Sequence, residues 1–269
     1  MLNARDAAAV RELLSVHEEH PRYGVRRLAA ELAWSEGKTR RIRTLAGFTI
    51  ARRTRKYSRK RITPEIPAPV NALRSYAVFR NEARPQDGLD YTGMVDSGGW
   101  VQDFTYLWVD RQWHYLAVVL DLKTRQVLGW KLGLRHTSNL TYAALLDALS
   151  KHPVPSILHS DQGSEYLSYK HQELCERLEI TLSASTKSSP WQNGFMERFF
   201  GTLKDELPPL SQLKSTEHLL EAIALTVHYY NYKRRHSALG NRSPAAYAAS
   251  LLTSTPLEMK DKVSEKVGA

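Results

Sequence analysis

The chain of 269 residues contains one cysteine, Cys175. A single thiol excludes an internal disulfide and a cysteine-rich zinc cluster, and it fits a reducing cytosol. Long apolar runs are also missing, since none approaches the roughly 18 residues that a membrane-spanning helix needs. The opening segment MLNARDAAAVRELLSVHEEH is charged throughout and has no apolar core of the kind a secretory leader carries. Acid is in short supply, with 28 Asp and Glu against 38 Lys and Arg and a formal charge of +10. That excess suits a polyanionic partner, nucleic acid first, with an acidic membrane surface as the other class that charge alone admits.

What is present is enough for a core. Hydrophobic residues make up 42% of the chain, and the length allows one large domain or two ordinary ones. Residues 4–20 read as a helix, with Ala8, Leu13, Leu14 and Val16 near helical spacing and a stop before Pro21. In RYGVRRLAAELAWSEGKTRRIRTLAG, the residues Val25, Leu28, Ala29 and Leu32 make a short apolar face. After a turn at WSEG, a second helix turns Ile42 and Leu45 inward and stops at Gly47. Its exposed side carries Lys38, Arg40, Arg41 and Arg43. Two short helices about a tight turn, the second of them basic, have the form of a helix-turn-helix. An ordinary helical hairpin with a solvated basic face has the same pattern.

The run RRTRKYSRKR at 52–61, basic at seven of ten positions, is expected to reach DNA phosphates through Arg52, Arg53, Arg55 and Lys56. TPEIPAP then reads as an extended linker, because three prolines break both helix and ladder. The expected organisation is a helical DNA-binding region with basic arm at 1–62, a linker at 63–90, a catalytic core with C-terminal helices at 91–252 and a flexible tail at 253–269. Residues 70–90 show no clear period.

From Trp100 the texture changes. Strands are expected at 100–109, 113–122 and 126–133, joined by the polar turns DRQ and KTR into an antiparallel meander. The second is almost continuously apolar and so is expected to be central. A helix at 138–152, capped by Ser138, puts Leu140, Ala144, Leu145, Ala148 and Leu149 on one side. A strand at 156–161, a helix at 168–180 and a strand at 181–185 follow. The next helix is expected to start with Ser189 as N-cap, Pro190 in its first turn and Gln192 at capping-box spacing, although Gly194 also suits a later start. Helices at 215–236 and 243–252 close the chain. The result is an α/β fold, a mixed five-stranded sheet with flanking helices, preceded by a small all-α domain.

Three acids stand out. Asp103 interrupts an apolar strand, Asp161 ends the fourth strand before the turn residue Gly163, and Glu197 lies about two turns into an apolar helix. Asp110 and Asp121, also near strand ends, compete with Asp103, but neither interrupts an apolar run. Three carboxylates brought together repel one another unless divalent cations neutralise them, and oxygen-only ligands suit Mg²⁺ or Mn²⁺. Two such ions would clamp both oxygens of an in-line phosphodiester displacement. Asn193 and Lys204 share the helical face of Glu197. With Lys187 they complete the expected DNA contacts.

Thirty-five residues separate Asp161 from Glu197, the D,D(35)E spacing of retroviral integrases and related bacterial transposases. The words WVQDFTYL, YLAVVLDLKTRQVLGW, HSDQGSEY, NGFMERFFGTLKDEL and YYNYKRRHSALGNRSPAAY closely resemble the second-frame (OrfB) transposase of the IS-three-type insertion sequences, and HPRYGVRRLAAEL resembles its helix-turn-helix. The resemblance runs from about residue 20 to residue 250. It departs at Gln102, where a small residue or Thr is common, and at SSPWQNG, which replaces more usual Gly- and Cys-containing wording.

The resemblance implies a ribonuclease-H-like fold, with Asp103, Asp161 and Glu197 as the triad that binds two Mg²⁺ (or Mn²⁺) ions. It implies cleavage of element ends by water, followed by attack of the freed 3′-hydroxyl on another phosphodiester, and needs no covalent protein–DNA intermediate. It implies double-stranded DNA as partner, a homo-oligomer on that DNA, and a cytoplasmic, nucleoid-associated location. Such enzymes are often fused to an upstream-frame product with another helix-turn-helix and a zipper. This chain carries neither, so an upstream-frame partner protein is also expected. Two further readings suit the same residues: a structure-specific nuclease of the same fold, which would have little use for the N-terminal module, and a non-catalytic DNA-binding remnant or repressor, which would not need three intact acids.

Overall fold

The computed structural model describes residues 4–47, 69–73, 78–79, 89–90, 98–185 and 193–253. Three helices come first: α1 (Ala4–Glu19), α2 (Val25–Glu31) and α3 (Glu36–Ala46). They close on their own small core of Ala9, Leu13, Tyr23, Leu28, Leu32 and Ile42. Ser35 caps α3 by accepting from the Lys38 amide, and Gly47 ends it in the left-handed conformation at φ 73°. The helix therefore starts two residues before Lys38. Three apolar assignments shift as a result of how the helices pack. Ala8 and Leu14 face solvent while Ala9 and Leu13 are buried, and Leu45 is outward while Thr39 takes the inner position.

The short strands β1 (Val78–Phe79) and β2 (Leu89–Asp90) pair with each other. The main sheet follows, built from β3 (Gly99–Val109), β4 (Gln112–Asp121), β5 (Val127–Gly133), β6 (Ile157–Ser160) and β7 (Thr181–Ala184). Its order is β5-β4-β3-β6-β7. The first three strands form the antiparallel meander, and β6 and β7 add in parallel on the other side of β3. This is the ribonuclease-H-like arrangement. The meander is legible because turns of two and five residues, 110–111 and 122–126, separate runs rich in β-branched and aromatic residues.

The helices α4 (Ser138–Leu149), α5 (Tyr169–Arg177), α6 (Gly194–Glu206), α7 (Thr216–Tyr232) and α8 (Pro244–Thr253) complete the chain. Strand alternation sends side chains to two faces. On one face Val101, Leu107, Leu116, Val118 and Leu120 pack against Phe199, Leu203, Leu219, Ile223 and Val227 of α6 and α7. On the other, Trp100, Ala117, Val119 and Leu158 pack against Ala144, Leu145 and Ala148 of α4 and Cys175 of α5. Gly129 of β5 permits the closest approach, since a Cβ there would stand 2.5 Å from the Ala148 backbone nitrogen. Burial pushes the Cys175 thiol up to about 12, which leaves it inert at neutral pH.

Two helix starts differ from expectation. Thr137, not Ser138, is the N-cap of α4. Asn193 is the N-cap of α6 and Glu197 lies in its first turn, whereas the expected start at Ser189 and Pro190 lies outside the described residues. The basic arm with Arg52, Arg53, Arg55 and Lys56, together with Lys187 and most of the proline linker, lies outside the described residues. Among the described residues no helix is long and apolar enough to cross a membrane.

The three-helix unit docks on the end of α7. Tyr23 Oη accepts from the Arg235 amide at 3.0 Å, His20 hydrogen-bonds Tyr229 Oη, and Arg235 pairs with Glu31 at 2.6 Å. Nearby, Arg234 and Glu206 form an ion pair at 3.1 Å, both side chains less than a tenth exposed.

Candidate active site

The parallel ladder between β3 and β6 is short. Its last rung pairs Val101 with His159. Asp103 and Asp161 each lie two residues beyond that rung, so strand alternation puts both on the same face at the mouth where the strands part. Clefts at the carboxyl ends of parallel strands are where α/β sheets hold ligands.

The Asp103 carboxylate is fixed at both oxygens. Oδ1 accepts from the Phe104 amide at 2.8 Å, and Oδ2 accepts from Asn193 Nδ2 at 3.0 Å. Asn193 is buried at the head of α6, and this bond ties that helix to β3. Burial holds the Asp103 carboxyl well above the ordinary carboxylate range, and the charges of Asp161, Glu165 and Glu197 raise it further against the Phe104 amide. Asp161 Oδ1 accepts from the Gly163 amide at 2.9 Å. Its carboxyl is raised by burial and by Glu165, with the Gly163 amide and His136 opposing. Glu197 is exposed, one turn into α6, with Met196, Phe199 and Phe200 turned to the core. Its position on the wet side of an amphipathic helix explains a carboxylate within so apolar a stretch, and its charge is felt at Asp103.

A fourth acid was missed by sequence reasoning. Glu165 is 8% exposed, and His136 Nε2 meets its Oε1 at 2.9 Å. The His136 ring lies 4.0 Å from that of Phe104. The two acids of the strand mouth are thus linked through Phe104, His136 and Glu165. The only signal in the sequence was a second acid four residues after Asp161 with a glycine between. Tyr166 follows, fully buried, with its phenol pushed upward by burial and then by Asp103, Asp161 and Glu165. Among the described residues its hydroxyl has no hydrogen-bond partner.

The donor set fits a hard divalent cation. The ligands are carboxylate oxygens, their charges repel, and the buried Asn193 Oδ1 lacks a hydrogen-bond partner among the described residues, directly beside Asp103. Among the described residues no three of His, Cys, Asp or Glu close on one point by themselves. The arrangement is a half-buried pair, Asp103 and Asp161, with the buried Glu165 beside it and the exposed Glu197 on α6. An arrangement open in this way leaves coordination positions for phosphate oxygens.

The competing acids serve turns. Asp121 accepts from the amides of Lys123 and Thr124, and Asp110 sits in the β3–β4 hairpin. Lys204, two turns beyond Glu197, has its Nζ 5.2 Å from the Tyr106 ring. On α3, Arg41 makes a two-pronged contact to Asp6 at 2.8 and 2.9 Å, Arg40 pairs with Glu36 at 2.9 Å, and Lys38 lies 3.7 Å over the Trp34 ring. Arg43 is half-buried in the last turn. These basic groups are far from the acid pair in sequence and belong to the separate three-helix core.

Two family models, both described as integrase core domain, match residues 97–190 and 178–244. The 31 kDa protein of insertion element IS600 from Shigella sonnei is 37% identical over 151 residues, and the match spans 55% of this chain and 56% of that protein. The chain therefore spans a little over half the length of that relative. The transposase InsF of insertion sequence IS3A from Escherichia coli (strain K12) is 31% identical over 229 residues, 84% of this chain and 76% of InsF. Among solved structures, the HTLV-2 integrase catalytic core domain in complex with magnesium is similar at 21% identity and a TM-score of 0.47, covering 57% of this chain and 97% of that domain.

Proposed function

The chain belongs to the transposases of IS3-type insertion sequences, with an integrase core, and we propose that it cleaves the ends of an insertion element and joins the freed 3′-hydroxyls to DNA. The observation that carries this reading is the placement of Asp103 and Asp161 side by side just past the last rung of the β3–β6 ladder, with Asn193 binding the helix of Glu197 to the same point.

The chain's own residues have distinct tasks. Asp103 is held in one orientation by two donors, so it presents a fixed ligand oxygen. Asp161 is held by the Gly163 amide, and Glu197 approaches from the first turn of α6. Two Mg²⁺ or Mn²⁺ ions bound by these three would supply charge neutralisation and Lewis-acid polarisation at the phosphodiester. In the first step the oxygen of a water bonds to phosphorus, the 3′-oxygen leaves with a proton, and a 3′-hydroxyl end results. In the second step that hydroxyl oxygen bonds to phosphorus of another strand, and the bridging oxygen there leaves. Lys204, two turns beyond Glu197 on the same helix, is assigned to a phosphate beyond the scissile one.

We assign residues 1–62 to DNA binding, 63–90 to the linker, 91–252 to the catalytic core and 253–269 to a tail. The DNA contacts are Lys38, Arg40, Arg41, Arg43, Arg52, Arg53, Arg55, Lys56, Lys187, Asn193 and Lys204. Of these, Arg40 and Arg41 would have to exchange their carboxylate partners for phosphates. The protein works in the cytoplasm on nucleoid DNA as a homo-oligomer, with an upstream-frame protein as further partner. A strand-transfer assay with a pre-cut end tests the reading. The wild-type chain is expected to join it in Mg²⁺, and Glu197→Gln to lose cleavage and joining together. Undiminished Mg²⁺-dependent cleavage by Glu197→Gln would end the catalytic assignment, and cleavage without joining would make the protein a nuclease.

A further inference from the structure

The outer half of the β3–β4 hairpin carries an aromatic face that the catalytic reading does not use. Alternation along β3 sends Thr105, Leu107 and Val109 to the core and leaves Tyr106 and Trp108 on the opposite side. The register pairs Trp108 with Trp113 and Tyr106 with Tyr115 across the hairpin. Tyr106, Trp108 and Trp113 are 50%, 48% and 46% exposed. They are not scattered singly. The Trp113 ring stands 5.3 Å from Tyr106 and 5.0 Å from Trp108, edge-on to both. A contiguous cluster of large exposed rings marks an interaction surface.

Two observations identify the occupant. The first is continuity with the acid centre. Inboard of the exposed rings come Tyr115, Phe104 and His136, and the Phe104 amide donates to Asp103 while His136 holds Glu165. Asp103 itself is on the other face of β3, so the row reaches the acid centre through His136 and Glu165 and runs outward from there for about 13 Å of strand. The second is charge. Lys204 Nζ lies 5.2 Å from the Tyr106 ring centre, Arg111 is exposed at the hairpin turn, and Arg135 is exposed beside His136. Asp110 is the one acid at that turn. Aromatic faces beside cations are what unpaired nucleic-acid bases and their phosphates require.

We propose that Tyr106, Trp108 and Trp113 form a stacking platform for unpaired bases of a DNA strand whose end enters the acid centre. The proposal rests on the transposase reading of that centre. The platform stabilises a frayed end against re-pairing, so the scissile phosphate reaches Asp103 and Asp161 without the complementary strand in the way.

The test compares binding of the full chain to two short fluorescent duplexes, one fully paired and one with mismatched terminal base pairs. The wild-type chain is expected to prefer the frayed duplex, with quenching of tryptophan fluorescence. Trp108→Ala and Trp113→Ala are each expected to weaken frayed-duplex binding by roughly 5- to 150-fold, the range for loss of one stacked base, and to leave paired-duplex binding unchanged. Trp113→Phe keeps a ring and is expected to keep the preference, which separates stacking from folding. Equal wild-type affinity for both duplexes overturns the platform, as does equal loss for both in the Ala variants. A wild-type oligomer that dissociates in the Ala variants while the preference persists overturns it in favour of a contact between copies. If the wild-type chain cleaves DNA in Mg²⁺ but shows no preference, the platform alone fails. If it neither cleaves nor binds DNA, the transposase reading fails first.

Discussion

Gly163→Ala offers the sharpest structural perturbation of the acid centre. A Cβ at this position would stand 2.4 Å from Glu165 Oε1 and 2.9 Å from Asp161 Oδ1, where ordinary contacts begin near 3.4 Å. Glu165 must retreat by about 1 Å and Asp161 by about 0.5 Å. A long carboxylate could usually swing away at little cost, but Glu165 is buried and held by His136 at 2.9 Å. Its retreat breaks that bond and carries the strain toward Phe104 and Asp103. A misplacement on the order of 1 Å at a catalytic group costs about 100-fold in rate. The lost His136–Glu165 bond costs stability, but Gly163 lies outside helix and strand at φ below zero and alanine restricts the unfolded chain, so the two effects oppose each other. The expected outcome is Mg²⁺-dependent cleavage reduced about 100-fold, with the thermal midpoint within about 4 °C of wild type. Full cleavage activity in this variant would refute the view that Asp161 and Glu165 are held in fixed positions by their packing on Gly163.

Three further outcomes are expected. His171 and His236 are held down to about 4 and about 3 by burial, with the Arg234, Arg27 and Arg125 charges also depressing His236. Below pH 6.5 the unfolded chain takes up protons that the folded chain refuses, so this stability is complete above pH 6.5 and is lost as pH falls toward the folded values. The loss is up to roughly 1.4 kcal/mol per pH unit per histidine; urea unfolding at pH 7 and pH 5 measures it, and equal midpoints would contradict it. The hairpin turn holds Asp110 and Arg111 at φ 47° and 58°, a conformation that suits Asn-Gly. Replacing both with Asn-Gly should raise stability by about 1–2 kcal/mol, seen as a higher thermal midpoint. Glu206→Gln leaves the buried Arg234 without its charge partner; it should cost about 3 kcal/mol, and a loss near zero by chemical denaturation would argue against a tight pair.

The sequence made the sheet legible for a local reason. Each strand of the meander is a self-contained run, and the polar turns 110–111 and 122–126 punctuate them. The start of α6 was not legible in the same way. Ser189 and Gln192 fit a capping box by spacing but lie outside the described residues, and the N-cap of α6 is Asn193, whose side chain is engaged by Asp103 from ninety residues away. Long-range partners decided the other differences too. Leu45 looked inward by periodicity, yet Thr39 and Ile42 fill the space left by α1. Asp103, Asp161 and Glu197 could be selected because each disturbs an apolar or turn pattern. Glu165 disturbs nothing in its polar loop, and only the folded contact with His136 reveals it. The docking of Tyr23 on Arg235 spans more than two hundred residues and leaves no local trace.

Counting bound Mn²⁺ on the metal-free full chain, by titration with the free ion followed spectroscopically, tests the shared-ion centre most directly. Two ions per chain are expected for the wild type when DNA is present, with Asp103→Asn and Asp161→Asn each losing binding and Glu197→Gln weakening it. Unchanged Mn²⁺ binding in all three variants would contradict the centre, whatever the chain's likeness to other transposases.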